Sequence, residues 1–334
     1  MKNIKKLPFI LSILSLFTIF SPAYADIKVV ASIKPIHSLA SYLMDGVGKP
    51  DLIVDGYASP HGFAMKPSHA KMLQNADLIF WVGEDLENFL EKPLKSIAKK
   101  AEKIELMETK GLKKLEFRER NIFEEHGHDE HKEHGHKEDK HDDHKHDEHK
   151  EHGHKKDKHD DHHGHAHGEH DPHIWLDPIN AKSILSEMAV HLIEKDPNNA
   201  SAYKANLKKA HKALDNLTKK VKSELKGDFK SIVFHDAYQY FEKRFDVNVL
   251  GAFTVNTDVL PGAEQLTEIR EIIEHEKVTC VFSEPQFNPD IIKAVAKDTN
   301  IKTGVIDPLG ATLKPGKDLY FDLIRNMYAS FKSC

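Results

Sequence analysis

Short runs of apolar and β-branched residues alternate along the chain with segments whose apolar positions recur every three or four residues. The runs have the length of buried strands, and the periodic segments have the spacing of amphipathic helices. Predicted strands cover residues 27–32, 50–55, 77–82, 231–234, 247–250, 278–282 and 303–306, and predicted helices cover residues 38–44, 67–75, 85–100, 184–193, 238–245, 262–276, 289–298 and 318–331. This alternation predicts an α/β fold with parallel sheets covered by helices on both faces.

The longest helical pattern begins after Asp196-Pro197, an N-cap followed by proline at the first helical position. Residues 200–225 contain no Gly or Pro, and one apolar stripe runs along them: Leu207, Ala210, Leu214, Leu217 and Val221. A helix over residues 197–226 would be about 45 Å long, enough to cross a domain. We therefore predict a rigid connecting helix over residues 196–228, between a first lobe of residues 26–195 and a second lobe of residues 229–334.

The first 25 residues have the pattern of a cleavable export signal. Lysines at positions 2, 5 and 6 precede an apolar stretch over residues 7–20, and Ala23-Tyr24-Ala25 is a small-x-small cleavage site. This apolar stretch is short for a bilayer span. We expect the mature chain to begin at Asp26 in a diderm periplasm. Because no cysteine lies near the cleavage site, we expect no lipid anchor.

One segment of the first lobe has a composition that cannot build a core. Residues 126–170 hold 17 of the 25 histidines, together with 14 acidic residues and 8 lysines. Residues 130–144 return as residues 148–162 with 14 of 15 positions identical, which indicates a tandem duplication. We expect a disordered, mobile loop, the histidine-rich insert (residues 124–170), since too few apolar side chains are present to offset the entropy of ordering it.

Charge and hydropathy exclude two classes of function. The formal net charge of -5 is opposite in sign to that of a basic nucleic-acid-binding protein. After the export signal, no apolar run reaches the roughly 20 residues that a membrane span requires. We therefore expect no nucleic-acid partner and no membrane span in the mature chain.

The chain has two cysteines, Cys280 in a predicted strand and Cys334 at the last position. In an oxidising compartment two thiols of one chain favour a disulfide. This disulfide would close a loop of about 54 residues and contribute about 4 kcal/mol in the chain-entropy model. Metal ligation by thiolate and a free reactive thiol are the weaker alternatives.

Eight histidines lie outside the insert, and their positions relative to the predicted strands and helices distinguish candidate ligands from ordinary histidines. His61, His235 and Asp307 each follow a predicted strand, and His173 lies just before a predicted helix start. In doubly wound sheets, ligands collect beyond the carboxyl ends of strands. Three imidazoles and one carboxylate suit a tetrahedral Zn²⁺ site, although spacing alone leaves their convergence open. We expect ordinary hydrogen-bonded or exposed rings at His191, His211 and His275.

Several longer sequence segments around these positions give a more specific signal than spacing alone. They read ASPH at 58–61 with KPS at 66–68, NADL at 75–78 with WVG at 81–83, DPHIWLDP at 171–178, FHDAY at 234–238, FSEPQF at 282–287 and DPLG at 307–310. Through them the chain resembles the ABC-importer substrate-binding proteins that carry transition metals, most closely the zinc-binding ZnuA-type members. The resemblance spans nearly the whole mature chain. It implies two Rossmann-like lobes joined by one long rigid helix, with metal between the lobes.

The resemblance also implies a ligand set. Carried over by position, the family's three histidines fall on His61, His173 and His235, and its carboxylate falls on Asp307. Manganese-binding relatives have Glu at the position of His235, so the resemblance favours zinc, with manganese as the alternative cargo. In zinc members the fourth ligand is less fixed, and it is Asp307, water or another carboxylate. The acidic histidine-rich insert and the cysteine pair also match the zinc branch.

The implied function is capture of Zn²⁺ by a monomeric periplasmic protein and delivery to a membrane permease with its cytoplasmic ATPase. Imidazoles in the histidine-rich insert favour many weak, exchanging metal sites. We hypothesise that the insert collects zinc when zinc is scarce. Buffering of excess metal and docking of an accessory periplasmic metal protein are the alternatives.

Functions of other classes have less support in the sequence. In an exported zinc hydrolase Glu284 or Asp236 could serve as the base, but no HExxH or other hydrolytic motif is present. The other rivals are a histidine-rich metal buffer on an unrelated scaffold and a surface adhesin, which the missing lipidation cysteine disfavours. We predict a transport protein and not an enzyme.

Overall fold

The computed structural model describes residues 27–118, 120–122, 169–227, 229–255, 257, 259, 261–297 and 299–334. The predicted export signal over residues 1–25 lies outside the described residues. The histidine-rich insert does too, apart from its last two residues. Statements about this insert and about signal cleavage therefore remain predictions.

In the first lobe, strands and helices alternate around one sheet. Its strands are β1 (Val29–Ile33), β2 (Asp51–Val54), β3 (Leu78–Trp81) and β4 (Glu102–Glu105). Its helices are α1 (Lys34–Leu43), α2 (Pro67–Asn75), α3 (Glu84–Ser96) and α4 (Pro178–Lys195). Short 3-10 helices cover Leu106–Glu108, Ile174–Leu176 and Pro197–Asn199.

The second lobe repeats this alternation after the long helix α5 (Ala200–Glu224). Its strands are β5 (Ser231–His235), β6 (Val249–Thr254), β7 (Cys280–Ser283) and β8 (Lys302–Val305). Its helices are α6 (Gln239–Phe245), α7 (Ala263–His275), α8 (Asp290–Ala296) and α9 (Leu319–Ser333).

Both sheets are parallel throughout and have the same strand order. The first runs β2-β1-β3-β4 and the second β6-β5-β7-β8, so each central strand lies between neighbours and is buried. The predicted α/β fold with two parallel-sheet lobes is confirmed. In such open sheets, the loops after the strands meet at one edge of the sheet, where ligands bind.

The hydrophobic pattern does not predict β4. Its sequence is EKIE, and Ile104 is its one buried residue. As an edge strand it pairs with β3 alone, and an edge tolerates charged side chains that face water. A strand with a single apolar residue leaves no alternation for sequence analysis to detect.

The predicted connecting helix is present in two parts. Residues 197–199 form a tight 3-10 turn because the Asp196 carboxylate accepts hydrogen bonds from Asn199 and from the Tyr203 hydroxyl. The α-helical part has 25 residues, or about 37 Å at about 1.5 Å per residue, shorter than expected. Its buried face is formed by Tyr203, Asn206, Ala210, Leu214, Leu217 and Val221.

Helix α5 contacts both lobes. It packs against α1 and α4 of the first lobe and against α9 at the end of the chain. The disulfide predicted from the cysteine count is present and joins Cys280 in β7 to Cys334 after α9, with 5.7 Å between the Cα atoms. Helix α9 is thereby attached to the second sheet while it packs on the first lobe. No helix in the described part of the chain is long and apolar enough to cross a bilayer.

The residues that flank the histidine-rich insert pair with each other and with β6 of the second lobe. Glu116 and His170 form an antiparallel bridge, and Ile122 forms another with Gly251 in β6. The side-chain amide of Asn121 donates to the main chain of β6 at 2.8 Å. A Cβ atom at position 251 would lie 2.7 Å from the Asn121 carbonyl oxygen, so this approach requires glycine.

Candidate metal centre

Two loops and the end of a strand bring His61, His173 and His235 together between the two sheets. His61 lies in the loop after β2, His173 directly precedes the 3-10 helix Ile174–Leu176, and His235 is the last residue of β5. One ring nitrogen from each lies within 4.8 Å of the others. His173 and His235 are buried, and His61 is half-buried. Residues distant in the sequence thus form one group of three imidazoles.

The three rings face one another at similar separations. Ring centroids lie 5.5 Å apart for His61 and His173, 5.8 Å for His61 and His235, and 5.3 Å for His173 and His235. The Nε2 atoms of His173 and His235 are 3.4 Å apart. In a tetrahedral Zn²⁺ site with bonds of about 2.0–2.1 Å, neighbouring ligand nitrogens lie about 3.3 Å apart. The observed separation matches that value.

Each of the two buried rings has a carboxylate partner at its other nitrogen. Nδ1 of His173 lies 2.7 Å from Asp171, which also accepts the His173 main-chain N–H. Nδ1 of His235 lies 2.7 Å from Glu284. Carboxylates in this position orient the imidazole and raise its basicity toward a metal.

These partners determine which nitrogen carries the proton in the neutral ring. An ionised carboxylate only accepts hydrogen bonds, so with Asp171 and Glu284 ionised the hydrogen-bond network assigns the proton of each neutral ring to Nδ1. Burial raises the pKa of Asp171 to about 7, so for His173 this assignment holds above that pH. Each Nε2 then presents a lone pair toward the other at 3.4 Å. Two facing lone pairs repel unless a cation or a proton lies between them. The arrangement is therefore suited to a metal ion.

Burial and charge affect the two rings differently. Burial, with a smaller contribution from His235, lowers the pKa of His173 well below 6.5. Burial would also lower the pKa of His235, but the charge and hydrogen bond of Glu284, together with the charges of Asp236 and Asp171, outweigh it, so this pKa is raised. Because a metal binds the neutral ring, mildly acidic pH makes the metal compete with a proton at His235 before it does so at His173.

The space between the rings is small. A cavity of about 10 Å³ is lined by the three histidines, by Trp175 and Glu284, and by residues from the loops around 60, 286 and 308. This volume is that of about one water molecule. The space between the rings can hold a single small ion.

Asp307 does not join the group of three. It is not among the residues that line the cavity, although the next residues, Pro308 and Leu309, are. Its carboxylate accepts hydrogen bonds from the Gln286 side chain and from three main-chain N–H groups of its own loop. Its role as the fourth ligand stays a prediction.

Sequence analysis did not identify the carboxylates that support the rings. Asp171 lies two residues before His173, a spacing that could have indicated a local contact. Glu284 follows β7, which pairs with the strand that ends at His235, so adjacent strand ends bring them together.

Among the other histidines in the described ranges, His191 takes part in a further cluster. His191 in α4 contacts Glu102 at 2.7 Å, and Glu194 lies near both on the protein surface. Lys195 already pairs with Glu102 at 3.0 Å and supplies positive charge to the cluster. His211 Nε2 lies at hydrogen-bond distance, 3.1 Å, from the Lys182 carbonyl oxygen, as expected for an ordinary helical histidine.

Comparison with known proteins gives a family match over most of the chain. Residues 29–334 match the family described as zinc-uptake complex component A, periplasmic (ZnuA). The high-affinity zinc uptake system protein ZnuA of Brucella abortus is 47% identical over 336 residues, covering 100% of this chain and 99% of the relative. The protein of the same name from Yersinia pestis is 38% identical, covering 93% of this chain and 92% of the relative.

Solved structures show the same fold at lower sequence identity. A crystal structure of ZnuA superposes with a TM-score of 0.69 at 20% identity, covering 92% of this chain and 100% of that chain. A periplasmic zinc-binding protein TroA from Treponema pallidum superposes with a TM-score of 0.70 at 16% identity, covering 92% and 99%. These likenesses support the two-lobed architecture.

Proposed function

Because this chain belongs to the periplasmic zinc-uptake component A (ZnuA) family, we infer that it captures Zn²⁺ in the periplasm and delivers it to an ABC permease for zinc uptake. The observation that carries the inference is the pair of Nε2 atoms of His173 and His235, which face each other at 3.4 Å with their other nitrogens held by carboxylates. Imidazole ligands favour zinc over harder cations such as Mn²⁺.

The proposed ligands are His61, His173 and His235. Their support is the mutual approach of three ring nitrogens within 4.8 Å and a cavity the size of one ion. Asp171 and Glu284 are proposed to orient the rings and fix their tautomers. The fourth coordination position is left to water or a carboxylate, with Asp307 as the candidate from the resemblance.

The wider role follows from the family. We propose that the export signal is cleaved, that the mature protein is a monomer without a lipid anchor, and that it docks on a permease served by a cytoplasmic ATPase. No catalytic function is proposed, because the matched family is that of a periplasmic zinc-uptake component. The histidine-rich insert is proposed to collect zinc, with an accessory metal protein as a further candidate partner.

Competition with a chromogenic chelator tests the binding function. The mature chain is compared with a version in which residues 126–168 are replaced by a short Gly-Ser linker. Into this version are built the substitutions His61→Ala, His173→Ala and His235→Ala, with His211→Ala as a matched control away from the site. We expect one tight zinc in the shortened protein, weakened at least tenfold by each of the three substitutions and unchanged by the control.

Two outcomes would count against the proposal. Absence of tight zinc from the shortened protein would make the chain a histidine-tract metal buffer. Tighter binding of Mn²⁺ than of Zn²⁺ would make manganese the cargo. The collecting role of the insert is tested separately, and it fails if cells that express the shortened protein take up zinc at the normal rate in zinc-limited medium.

A further inference from the structure

The Asp307 carboxylate is turned into its own loop. Each carboxylate oxygen has about two acceptor sites, so Oδ1, which has three donors within 3.1 Å, is fully used, whereas Oδ2, which has one, keeps a second site. Oδ1 accepts from Gln286 Nε2 and from the main-chain N–H groups of Leu309 and Gly310, and Oδ2 accepts from that of Ala311. Rotation of the carboxylate away from this loop would break bonds that Oδ1 and Oδ2 make to it.

The loop that supplies these N–H groups is held from its other side by Lys34. This residue begins α1 in the first lobe and is 3% exposed. Its Nζ donates to the carbonyls of Gly310, Ala311 and Leu313 at 2.8–3.1 Å, which uses all three ammonium protons. Asp55, which follows β2, lies 3.4 Å from the same Nζ.

Two consecutive residues therefore contact both charges. Gly310 and Ala311 each donate an N–H to Asp307 and each accept from Lys34 through their carbonyl. Gly310 has φ +69°, a left-handed conformation that glycine adopts readily, so the sequence favours this loop shape. The lysine of one lobe thus fixes the position of the carboxylate in the other.

We propose that Lys34 is a positioning residue that keeps Asp307 bonded to its own loop and out of the metal's coordination shell. The proposal rests on the three-histidine site proposed above. It makes the site one of three nitrogens and an open position, a set that favours Zn²⁺ over the harder Mn²⁺. Release of Asp307 would add an oxygen ligand and shift this preference toward Mn²⁺.

Visible absorption of bound Co²⁺ tests the proposal, since its d–d bands report coordination number and ligand type. One equivalent of Co²⁺ is added to the full mature chain and to the variants Asp307→Asn, Lys34→Met and Lys34→Met/Asp307→Asn. The spectrum of His235→Ala, which keeps the histidine-rich insert, is subtracted as background. Lys71→Met, an exposed lysine in α2, serves as the control.

We expect Asp307→Asn to leave the spectrum of the unaltered protein unchanged. Lys34→Met should change the position and intensity of the bands, because an oxygen ligand is added, and Asp307→Asn in that background should restore them. In competition with Zn²⁺, Mn²⁺ should bind about tenfold better in Lys34→Met, and this gain should disappear in the double variant. A merely structural role of Lys34 would not make the spectrum depend on Asp307.

Two results would overturn the proposal. A change in the spectrum on Asp307→Asn alone would mean that Asp307 is already a ligand, and a spectrum of Lys34→Met equal to that of the control would mean that Lys34 does not restrain it. If Lys34→Met does not fold, Lys34→Gln retains one amide donor to the loop and should give a smaller change of the same sign. Failure of the three-histidine site is recognised separately, by identical Co²⁺ spectra before and after His235→Ala.

Discussion

Glu284→Gln removes one negative charge beside His235 while it keeps the size of the side chain. Glu284 is buried and lies 2.7 Å from His235 Nδ1. The glutamine carbonyl can still accept this hydrogen bond, so the orientation of the ring is retained in part. Loss of an outer carboxylate partner lowers metal affinity about 10- to 100-fold, and we expect the lower half of that range here.

The loss should depend on pH in a definite direction. Glu284 raises the pKa of His235, so in the unaltered protein zinc affinity begins to fall as the pH drops through this raised value. In Glu284→Gln the pKa of His235 is lower, and proton competition at that ring begins at a lower pH. The variant should therefore bind zinc more weakly at pH 7.5, and this gap in zinc affinity between Glu284→Gln and the unaltered protein should narrow toward pH 5.5.

Chelator competition on the shortened protein at pH 7.5, 6.5 and 5.5 measures this gap. Glu274→Gln, on the exposed face of α7, is the matched control and should bind zinc normally at each pH. A gap that stays constant or widens as the pH falls would refute the link between Glu284 and the protonation of His235. Unchanged affinity at pH 7.5 would refute the supporting role of Glu284 itself.

Three further predictions concern stability and stoichiometry. Cys334→Ser, which breaks the disulfide with Cys280, should lower the free energy of unfolding in urea by about 2–4 kcal/mol, and reducing agent should then have no further effect. Arg244→Met removes a bidentate ion pair that joins α6 to Asp177, the N-cap of α4, and should lower the free energy of unfolding by about 2–3 kcal/mol. Arg325→Met removes an exposed ion pair and should lower it by less than about 0.5 kcal/mol. An equal loss of unfolding free energy in the two arginine variants would mean that the Arg244–Asp177 pair stabilises the protein no more than an exposed ion pair. Native mass spectrometry of the full chain should show several zinc ions at pH 7.5 and fewer at pH 5.5, because imidazoles with an ordinary pKa of about 6.5 become charged. A constant number of ions would mean that the insert histidines do not bind zinc.

The architecture was predictable from local pattern because buried strands and amphipathic helices leave their periods in the sequence. The exceptions are β4, which has too few apolar residues, and the first turn of the connecting helix, where Asp196 stabilises a 3-10 turn. Side-chain hydrogen bonds of this kind depend on specific rotamers, and the period of apolar residues does not predict rotamers.

The candidate site was predictable in its residue types and only partly in its contacts. His61, His173 and His235 could be singled out by their place after strands or before a helix, but their approach depends on the pairing order of two sheets. Glu284 is 49 residues from His235 and meets it through the pairing of β5 with β7. The turn of Asp307 into its own loop depends on Lys34, more than 270 residues away, and local sequence cannot show this.

The central claim is that three imidazoles from two lobes bind one zinc ion. X-ray absorption at the zinc edge, on the shortened protein loaded with one equivalent of Zn²⁺, tests it most directly. The account predicts three nitrogen neighbours at about 2.0–2.1 Å with the outer-shell scattering of imidazole rings, reduced to two rings in His61→Ala. A first shell of oxygen atoms, or a signal unchanged by substitution of any of the three histidines, would contradict it.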